Sequence, residues 1–430
     1  MHAGDEIELD ITGVAHGGVF VGRSEGRVVF VPDTLPGERV RVRLTDTRKR
    51  SFWRGEVVEV LEASPDRRPH VWPQADLSRP AAQRPGGADF GHIDLARQRA
   101  LKLDVLRDAL TRIGRLGDLP ATVEPARPAL SADGAVLAEE REDGTGWRTR
   151  VSLHVDEEGR VGPYAPRSHT VVPVTELPLA TPAVARAAAK LIGHRPGRID
   201  LVQPADGRVR VLPRPDGAPE REQLRETIVE RVGDREFRLD AGGFWQVHRL
   251  AATTLHGVVT EELRALGPLE PTARHLDLYG GVGLFAAAIA ELVGPAAKVT
   301  TVESDARATE HAGANLAEWV GARAETARVE RWVRALGDTA SPAERARIAD
   351  GVVVLDPPRS GAGIEVARAV ARLRPRAVVY VACDPVALAR DLAAFAEEGY
   401  HTSRVRGFDL FPHSHHLEAV TTLIPSAGRG

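Results

Sequence analysis

Apolar and polar residues alternate in short runs over the first 60 or so residues of the chain, and glycines separate the runs. Examples of these runs are Glu6–Ile11, Gly26–Val31 and Glu38–Leu44. A period of two is the pattern of a strand with one buried face, and several such strands close together favour a small sandwich or barrel. Residues 1–62 are therefore predicted to form a small all-β, OB-like barrel.

The pattern is lost after the barrel. Residues 63–92 are rich in proline, glycine and arginine and show no regular period, which predicts a long connection. Leucines and one isoleucine then recur at near-helical spacing, which predicts a helix over residues 95–113.

Short strands and helical segments mix between residues 123 and 240. The strands include Arg150–Val155 and Arg208–Leu212, and the helical segments are Pro182–Ile192 and Glu222–Val232. Such a mixture is typical of an α+β unit. Residues 63–240 are predicted to hold the connection and a separate central α+β domain.

A regular alternation of apolar strands and amphipathic helices follows residue 240. The predicted strands lie near 274–279, 298–302, 351–355 and 377–381, followed by 402–409 and 417–424. Strands that alternate with helices indicate a doubly wound parallel sheet, and the last two strands are predicted to form an antiparallel hairpin at one edge. This is the Rossmann-like layout of class I methyltransferases, so residues 241–430 are predicted to be an α/β catalytic domain.

Composition narrows the class of protein. The chain is 43% hydrophobic with a formal net charge of −3, so nucleic acid would have to bind at local basic patches. One cysteine allows no internal disulfide, the first residues are polar and acidic, and no apolar run reaches membrane-spanning length. We expect a cytoplasmic monomer that does not bind membranes.

Basic residues are concentrated in the second half of the barrel. From Arg39 to Arg54 there are seven Lys or Arg residues, with Phe52 and Trp53 among them, against the single acid Asp46. Basic side chains on one face and rings that stack on bases suit RNA, whereas the alternative is a solvated face above two core aromatic residues. The pattern and its position resemble the TRAM domain, a small RNA-binding barrel, which favours RNA. The predicted RNA contacts are Arg41, Arg43, Arg48, Lys49 and Arg50.

A glycine-rich turn follows the first strand of the catalytic region, between Tyr279 and Gly283. Glycines let the backbone approach a ligand and adopt positive φ. The next strand ends at Glu303, whose carboxylate can accept hydrogen bonds from the ribose hydroxyls of an adenosine-containing cofactor. Asp277 favours S-adenosylmethionine over a dinucleotide, because nearby carboxylates stabilise a sulfonium cation.

Two further strand ends carry candidate chemistry. Asp356 precedes two prolines that fix its carboxylate towards the ligand cleft, although similar turns occur in enzymes that methylate exocyclic amines. Cys383 follows a buried strand and precedes a helix opened by Pro385. A lone cysteine is often a small buried hydrophobe, but a helix N-terminus lowers the pKa of a thiol towards the reactive thiolate.

The final hairpin holds three histidines and an acid. His413, His415 and His416 are close in sequence and raise the question of a metal. A histidine-rich turn without a carboxylate at fixed spacing is more often hydrogen-bonded structure, so we expect no metal. Glu418, which opens the last strand, is a candidate base.

Together these segments resemble the three signatures of the S-adenosylmethionine-dependent RNA uracil-5 methyltransferases. The matching segments are Asp356–Gly361, Val378–Cys383 and Asp409–Glu418. The resemblance covers essentially the whole chain and implies that Cys383 is the nucleophile and Glu418 the base. Gly242–His248 resembles a family segment whose glutamine contacts the cofactor. The implied cofactor contacts are Gln246, Tyr279, Gly281, Gly283, Glu303 and Asp356, and the implied substrate contacts include Asp356 and Arg359.

The chain departs from the family pattern in two places. Ala382, Asp384 and Ala387 stand where the family usually shows serine, asparagine and threonine, and the sequence leaves their effect on activity open. Some members also hold an iron–sulfur cluster on four cysteines between the barrel and the core. Because this chain has one cysteine, with Trp72-Pro73 and Gly86-Gly87-Ala88 in that stretch, we expect no such cluster.

The resemblance implies methylation of uracil C5 in RNA. Because C5 is a weak nucleophile, a thiolate first adds at C6, and a base later removes the C5 proton. A stacked target base must be flipped into the site, where Asp356 is hypothesised to accept N3–H, a group that cytosine lacks. The alternatives are an RNA cytosine-5 or amine methyltransferase and a catalytically inactive RNA-binding protein. The sequence leaves open whether the substrate is tRNA or rRNA, and which uridine is modified.

Overall fold

The computed structural model describes residues 1–131, 133–193, 195–217 and 222–426. The strands before the catalytic region are β1 (Glu6–Ala15), β2 (Val19–Ser24), β3 (Arg27–Val31), β4 (Arg39–Asp46), β5 (Phe52–Glu62), β6 (Ala121–Pro125), β7 (Ala129–Leu130), β8 (Val136–Ala138), β9 (Arg150–Val155), β10 (Val161–Gly162), β11 (Gly197–Val202), β12 (Arg210–Pro215), β13 (Thr227–Val232) and β14 (Arg235–Asp240). The later strands are β15 (His275–Leu278), β16 (Val299–Glu303), β17 (Arg323–Thr326), β18 (Val352–Leu355), β19 (Ala377–Ala382), β20 (Tyr400–His401), β21 (Val405–Asp409) and β22 (Glu418–Pro425). The α-helices are α1 (Leu95–Arg112), α2 (Pro182–Ala188), α3 (Ala251–Ala265), α4 (Leu284–Val293), α5 (Ala306–Asn315), α6 (Val329–Thr339), α7 (Pro342–Ala349), α8 (Ile364–Arg372) and α9 (Pro385–Glu397).

The first five strands close into a barrel in the order β1-β2-β3-β5-β4, as the alternating pattern predicts. Its core contains fully buried residues such as Phe20, Val29 and Val40. Phe90 and Leu101, which follow the barrel in sequence, belong to the same apolar cluster. The barrel is therefore packed onto the connection and helix α1.

The register of the strands shows which turns lie at each end of the barrel. β1 pairs with β4 from Glu6–Arg43 to Asp10–Arg39, so the β4–β5 turn lies beside the start of β1. The β1–β2 turn, residues 16–18, lies at the opposite end of β1. We call the end with residues 16–18 the near end, because it contacts the catalytic domain, and the end with residues 47–51 the far end.

The central region contains a four-stranded sheet, β10-β9-β11-β12, and a β13–β14 hairpin. The predicted helix over Glu222–Val232 is wrong, since a short 3-10 helix, Glu222–Arg225, is followed by strand β13. The reason is a period of two, with Ile228 and Val232 buried on one face and β-branched residues throughout. The predicted helix over Pro182–Ile192 forms but ends at Ala188.

Within the described residues, the largest sheet has nine strands, ordered β17-β16-β15-β18-β19-β22-β21-β6, with β20 beside β22. β15 to β19 are mutually parallel, and β22 is antiparallel to both β19 and β21. This is the doubly wound sheet that the sequence predicts. The described chain has no helix that is long and apolar enough to cross a membrane.

The final hairpin is not at the sheet edge, contrary to the prediction. β6 pairs in parallel with β21, from Ala121–Val405 to Pro125–Asp409, and forms the edge itself. Helix α1, just before β6, packs Leu106 and Leu110 into the apolar cluster under α9. The domain limits at residues 62 and 240 stay a prediction. However, α1 and β6 precede residue 240 and still pack on the catalytic sheet, because strand β21 gains a pairing partner and buried area there.

Candidate active site

Five predicted site residues lie in a row along the edge of the sheet that is formed by the ends of its strands. The strands β16, β15, β18, β19 and β22 are consecutive neighbours. The residues at this edge are, in that order, Glu303, Tyr279, Asp356, Cys383 and Glu418. Parallel strands bring their carboxyl ends to one edge, and ligands bind in open α/β sheets at that edge. Because β22 is antiparallel, its first residue reaches the same edge.

Cys383 and Glu418 face each other across one ladder. Ala382 pairs with Ala419, so the next position in the register sets Cys383 opposite Glu418. Cys383 is partly buried and Glu418 is 6% exposed. Asp356 and Arg359 are close enough to influence the charge of both groups. The structure thus brings together the predicted nucleophile, the predicted base and the acidic turn.

The two carboxyl groups of this site hold their protons unusually tightly. Burial and the neighbouring Asp277 raise the pKa of Asp356 to about 7. Burial and the neighbouring Asp356 raise the pKa of Glu418 well above its ordinary value, although Arg359 opposes the shift. Perturbed acids clustered in a cleft are a feature of catalytic sites.

The prediction that a helix N-terminus lowers the pKa of Cys383 is wrong for the free protein. Burial, followed by Glu418 and Asp356, raises the pKa of the thiol to about 12, and Arg359 opposes this only in part. Helix α9 does begin just beyond the thiol, but its N-cap is the acidic Asp384, whose carboxylate accepts a hydrogen bond from Ala387 N. Desolvation and acidic neighbours outweigh the helix here.

The glycine-rich turn leaves room for a ligand to approach its backbone. Gly281 and Gly283 have φ of 52° and 91°, and Gly283 is the N-cap of α4. A Cβ on Gly281 would meet no atom within 4 Å, so open space lies above it. Glu303 Oε2 accepts a hydrogen bond from Gly281 N, which ties the acid to the turn. Beneath it, Asp277 Oδ1 is buried without a partner among the described residues.

These features fit an adenosyl cofactor with a sulfonium group. The open backbone above Gly281 admits a ligand, and Asp277 and Asp356 supply acidic oxygens. Glu303 Oε1 already accepts hydrogen bonds from Ser304 and Asp305, so Oε2, which accepts one from Gly281 N, is the oxygen that can accept a further bond from a hydroxyl group. Burial raises the pKa of Asp277 to about 7, and Glu303 adds to the shift. A nearby cation would favour the ionised forms of both aspartates.

Gln246 lies in the segment after β14 and is partly buried. Within the described chain, no hydrogen bond joins it to the other predicted cofactor contacts. Its neighbour Phe244 is 75% exposed, while Trp245 packs on Phe237 in the core. His248, the departure from the family pattern, is buried and stacks on Trp147.

The three histidines of the last hairpin are hydrogen-bonded structure, as predicted. His413 N and Nδ1 bond the side chain of Gln98, and its Nε2 contacts the Asp143 carbonyl. His415 Nδ1 is 2.6 Å from Asp89 Oδ2, and Arg359 Nη2 donates to His416 Nε2 at 3.3 Å. In the described part of the chain, no group of three or more acidic, histidine or cysteine side chains could hold a metal ion.

A cavity of about 160 Å³ opens beside Cys383, and the barrel forms one of its walls. Its lining includes His16, Gly17 and Gly18 of the near end, together with Arg359 and His416. Phe90 and Lys102 contribute from the connection and α1. The sequence predictions missed these barrel residues, because a His-Gly-Gly turn between two strands carries no signal of where it docks.

The predicted RNA-binding arginines of β4 are paired with acids from neighbouring strands. Arg41 bonds Glu59 of β5, and Arg43 bonds Glu6 of β1. Arg48 pairs with Asp46. Positive and negative side chains therefore alternate on this face, and the sequence of β4 by itself shows only the positive ones. Trp53 is 4% exposed, so it is a core residue and cannot stack on a base.

Arg48, Lys49 and Arg50 lie in the far-end turn, at the opposite end of β1 from the cavity. The structure does not bring any of the five predicted RNA contacts of the barrel to the site of Cys383. They belong to a separate surface that an extended RNA would have to reach.

Comparison with known proteins agrees with this architecture. Residues 2–58 match the TRAM domain family, and residues 269–425 match the family described as tRNA (Uracil-5-)-methyltransferase. An uncharacterized RNA methyltransferase of Streptomyces avermitilis is 38% identical, over 99% of both chains. The 23S rRNA (uracil(1939)-C(5))-methyltransferase RlmD of Chromohalobacter salexigens is 30% identical, over 98% of this chain and 90% of that one.

A solved structure shares the whole fold. The tRNA (uracil-54, C5)-methyltransferase of Pyrococcus abyssi, in complex with S-adenosyl-L-homocysteine, superposes with a TM-score of 0.66 at 19% identity, covering 97% of this chain and 99% of that one. With the signatures at one sheet edge and relatives that match along nearly their full length, the chain belongs to the family of S-adenosylmethionine-dependent RNA uracil-5 methyltransferases.

Proposed function

We propose that this enzyme methylates C5 of a specific uridine in RNA through a covalent bond between Cys383 and uracil C6. The observation that carries the proposal is the register that sets Cys383 opposite Glu418, with Asp356 on the next strand. A nucleophile and a base held side by side suit addition at C6 and proton removal at the adjacent C5.

In this proposal the Cys383 thiol releases its proton to solvent and adds to C6 as the thiolate, and the electrons of the C5–C6 double bond form an enolate that makes C5 nucleophilic. S-adenosylmethionine, when bound, supplies the methyl group. Because burial and Asp356 raise the pKa of Glu418, the group must lose its own proton before this step. The ionised Glu418 then accepts the C5 proton, and loss of the Cys383–C6 bond restores the ring. The residues that would hold the cofactor are Gln246, Tyr279, Gly281, Gly283, Glu303 and Asp356.

The free site keeps its nucleophile protonated. Burial and nearby acids hold the pKa of Cys383 at about 12, so the thiolate is scarce until substrate enters. Arg359 is the cation that opposes this shift, and it lines the cavity beside the thiol. We therefore assign Arg359 to the substrate side of the site, where a guanidinium also suits an RNA phosphate.

Asp356 is proposed to select uracil. Its ionised form accepts the N3–H of uracil, whereas cytosine offers only an acceptor at N3. A site built to receive a hydrogen bond discriminates strongly against an analogue that lacks the donor. In the Asp356→Asn variant, this preference for uracil over cytosine should weaken.

Ribosomal RNA is the proposed substrate class. The support is the 23S rRNA specificity in the name of the Chromohalobacter relative, which aligns with nearly the whole chain. The proposal is tested by mass-spectrometric mapping of 5-methyluridine after incubation of unmodified 23S rRNA, or of tRNA, with enzyme and S-adenosylmethionine.

We expect one methylated uridine in 23S rRNA with the wild type and none with Cys383→Ala. If 5-methyluridine appeared in tRNA and not in 23S rRNA, the substrate class would be tRNA. Recovery of 5-methylcytidine or an N-methylated base would favour the alternative chemistries. Binding of RNA without any methylation would favour the inactive RNA-binding protein.

A further inference from the structure

The turn between β1 and β2 fits tightly against the catalytic domain. Gly17 and Gly18 have φ of 84° and 71°. A Cβ on Gly18 would lie 2.5 Å from Asp89 Oδ2 and 2.7 Å from His415 Cβ, so only glycine allows this approach. The turn is thus held between the connection and the last hairpin, with His16 beside the cavity of Cys383.

His16 makes a direct bond to the residue after the nucleophile. Its Nε2 lies 2.7 Å from Asp384 Oδ2, and the side chains of the two residues are 49% and 22% exposed. The other oxygen, Asp384 Oδ1, accepts a hydrogen bond from Ala387 N at 2.8 Å. One carboxylate therefore links the barrel, the start of α9 and the backbone that carries the thiol.

The charges in this pair support each other. The hydrogen bond to Asp384 raises the pKa of His16, despite partial burial. Burial opposes the ionised form of Asp384, but His16 and the Ala387 N–H lower its pKa overall. Asp384 is one of the groups that raise the pKa of Cys383, so an imidazolium at position 16 offsets that charge.

Other titratable groups also face this region. Asp89 and His415 are paired beneath the turn. Arg359 and His416 line the same cavity as His16.

We infer that His16 is a positioning residue for Cys383, through which the barrel sets the rate of covalent addition as well as contributing to RNA affinity. The inference rests on the proposed function. If such a charge-assisted hydrogen bond stabilises the transition state, its loss should slow the reaction about 10- to 100-fold.

The test measures covalent addition separately from RNA binding. RNA that carries 5-fluorouridine at the target position is mixed with enzyme and S-adenosylmethionine, and adduct formation is followed in a single turnover over a range of RNA concentrations. His16→Ala should slow the saturated rate about 10- to 100-fold, with little change in half-saturating RNA. His16→Gln, which can still donate to Asp384, should recover most of the rate.

His2→Ala is the matched control, since it removes another exposed histidine of the barrel without touching the cavity, and it should leave the rate unchanged. Thermal unfolding checks that all variants are folded. A purely structural role for His16 would instead lower the melting temperature or raise the half-saturating RNA concentration, at an unchanged saturated rate.

Asp384→Ser tests the route of the effect. Serine retains a good helix N-cap but is too short to reach His16. In that background His16→Ala should slow adduct formation no further. The inference would be overturned if His16→Ala left the saturated rate unchanged, or if His16→Ala slowed the Asp384→Ser variant as much as it slows the wild type. In either case, methylation by the wild type would leave the proposed function intact. A wild type that forms neither adduct nor 5-methyluridine would overturn both.

Discussion

The Glu418→Gln substitution tests whether Glu418 acts as the catalytic base or has only a structural role. Glu418 is 6% exposed, and among the described residues its side chain makes no hydrogen bond or ion pair. The substitution keeps the shape and breaks no observed contact. If Glu418 removes the C5 proton, addition of Cys383 and methylation still occur, but release of the enzyme is blocked.

The expected size of the effect follows from these roles. A general base contributes about 10² to 10⁴-fold, which is about 2.7 to 5.4 kcal/mol of barrier. Folding should not suffer. The folded-state pKa of Glu418 is raised, so its burial costs stability as pH rises from the ordinary carboxyl pKa through the folded value. Glutamine removes that cost, and the melting temperature at neutral pH should stay level or rise.

The assay uses methyl-labelled S-adenosylmethionine and ordinary uridine-containing RNA. Glu418→Gln should accumulate a labelled protein–RNA complex on denaturing gels while turnover collapses. Glu262→Gln is a matched control, because Glu262 is equally buried and bonds Thr422 of the same strand, as well as Arg404. That variant should lose stability but keep turnover. Near-normal turnover of Glu418→Gln, or lost turnover without a methylated complex, would refute the base assignment.

Three further predictions follow from the same site and from the barrel. RNA with 5-fluorouridine should trap the wild type as an adduct stable to denaturation, and an adduct with Cys383→Ala would show that another group is the nucleophile. Alkylation of Cys383 by iodoacetamide in the free protein should rise about tenfold per pH unit through the mildly alkaline range, because burial and acidic neighbours raise the thiol pKa to about 12; a plateau there would contradict this. Replacing Lys49 and Arg50 by alanine should flatten the salt dependence of RNA binding by about 0.7 to 0.9 per lost phosphate contact. Arg41→Ala should change it less, because Arg41 is already paired with Glu59, and equal effects would contradict the pairing argument.

Much of the catalytic domain is predictable from local sequence. Strands and their end residues are adjacent in the chain, so Tyr279, Glu303, Asp356 and Cys383 could be assigned to strand ends directly. Once the sheet is doubly wound, parallel strands necessarily bring those ends to one edge. The order of the strands then makes neighbours of the acid turn, the thiol and Glu418.

The misassigned features depend on pairing between strands or on surroundings. Glu222–Val232 begins with residues that favour a helix, but its second half has the period of two and the β-branched residues of a strand, and β13 pairs with β14 along its whole length. The basic stripe of β4 becomes a mixed-charge face only when β1 and β5 supply their acids. The thiol pKa depends on burial and on Glu418 and Asp356, which no local motif reports.

The sequence alone determined the class of fold and the barrel, and it predicted which strand ends carry the candidate site residues, because each of these depends on a periodicity or on a motif a few residues long. What the tertiary structure decided was which distant elements meet. β6 completes the catalytic sheet from outside the predicted domain, and His16 bonds Asp384 across 368 residues of chain. Such contacts form because buried area and hydrogen bonds offset the entropy of closing a long loop, a balance that no short stretch of sequence reveals.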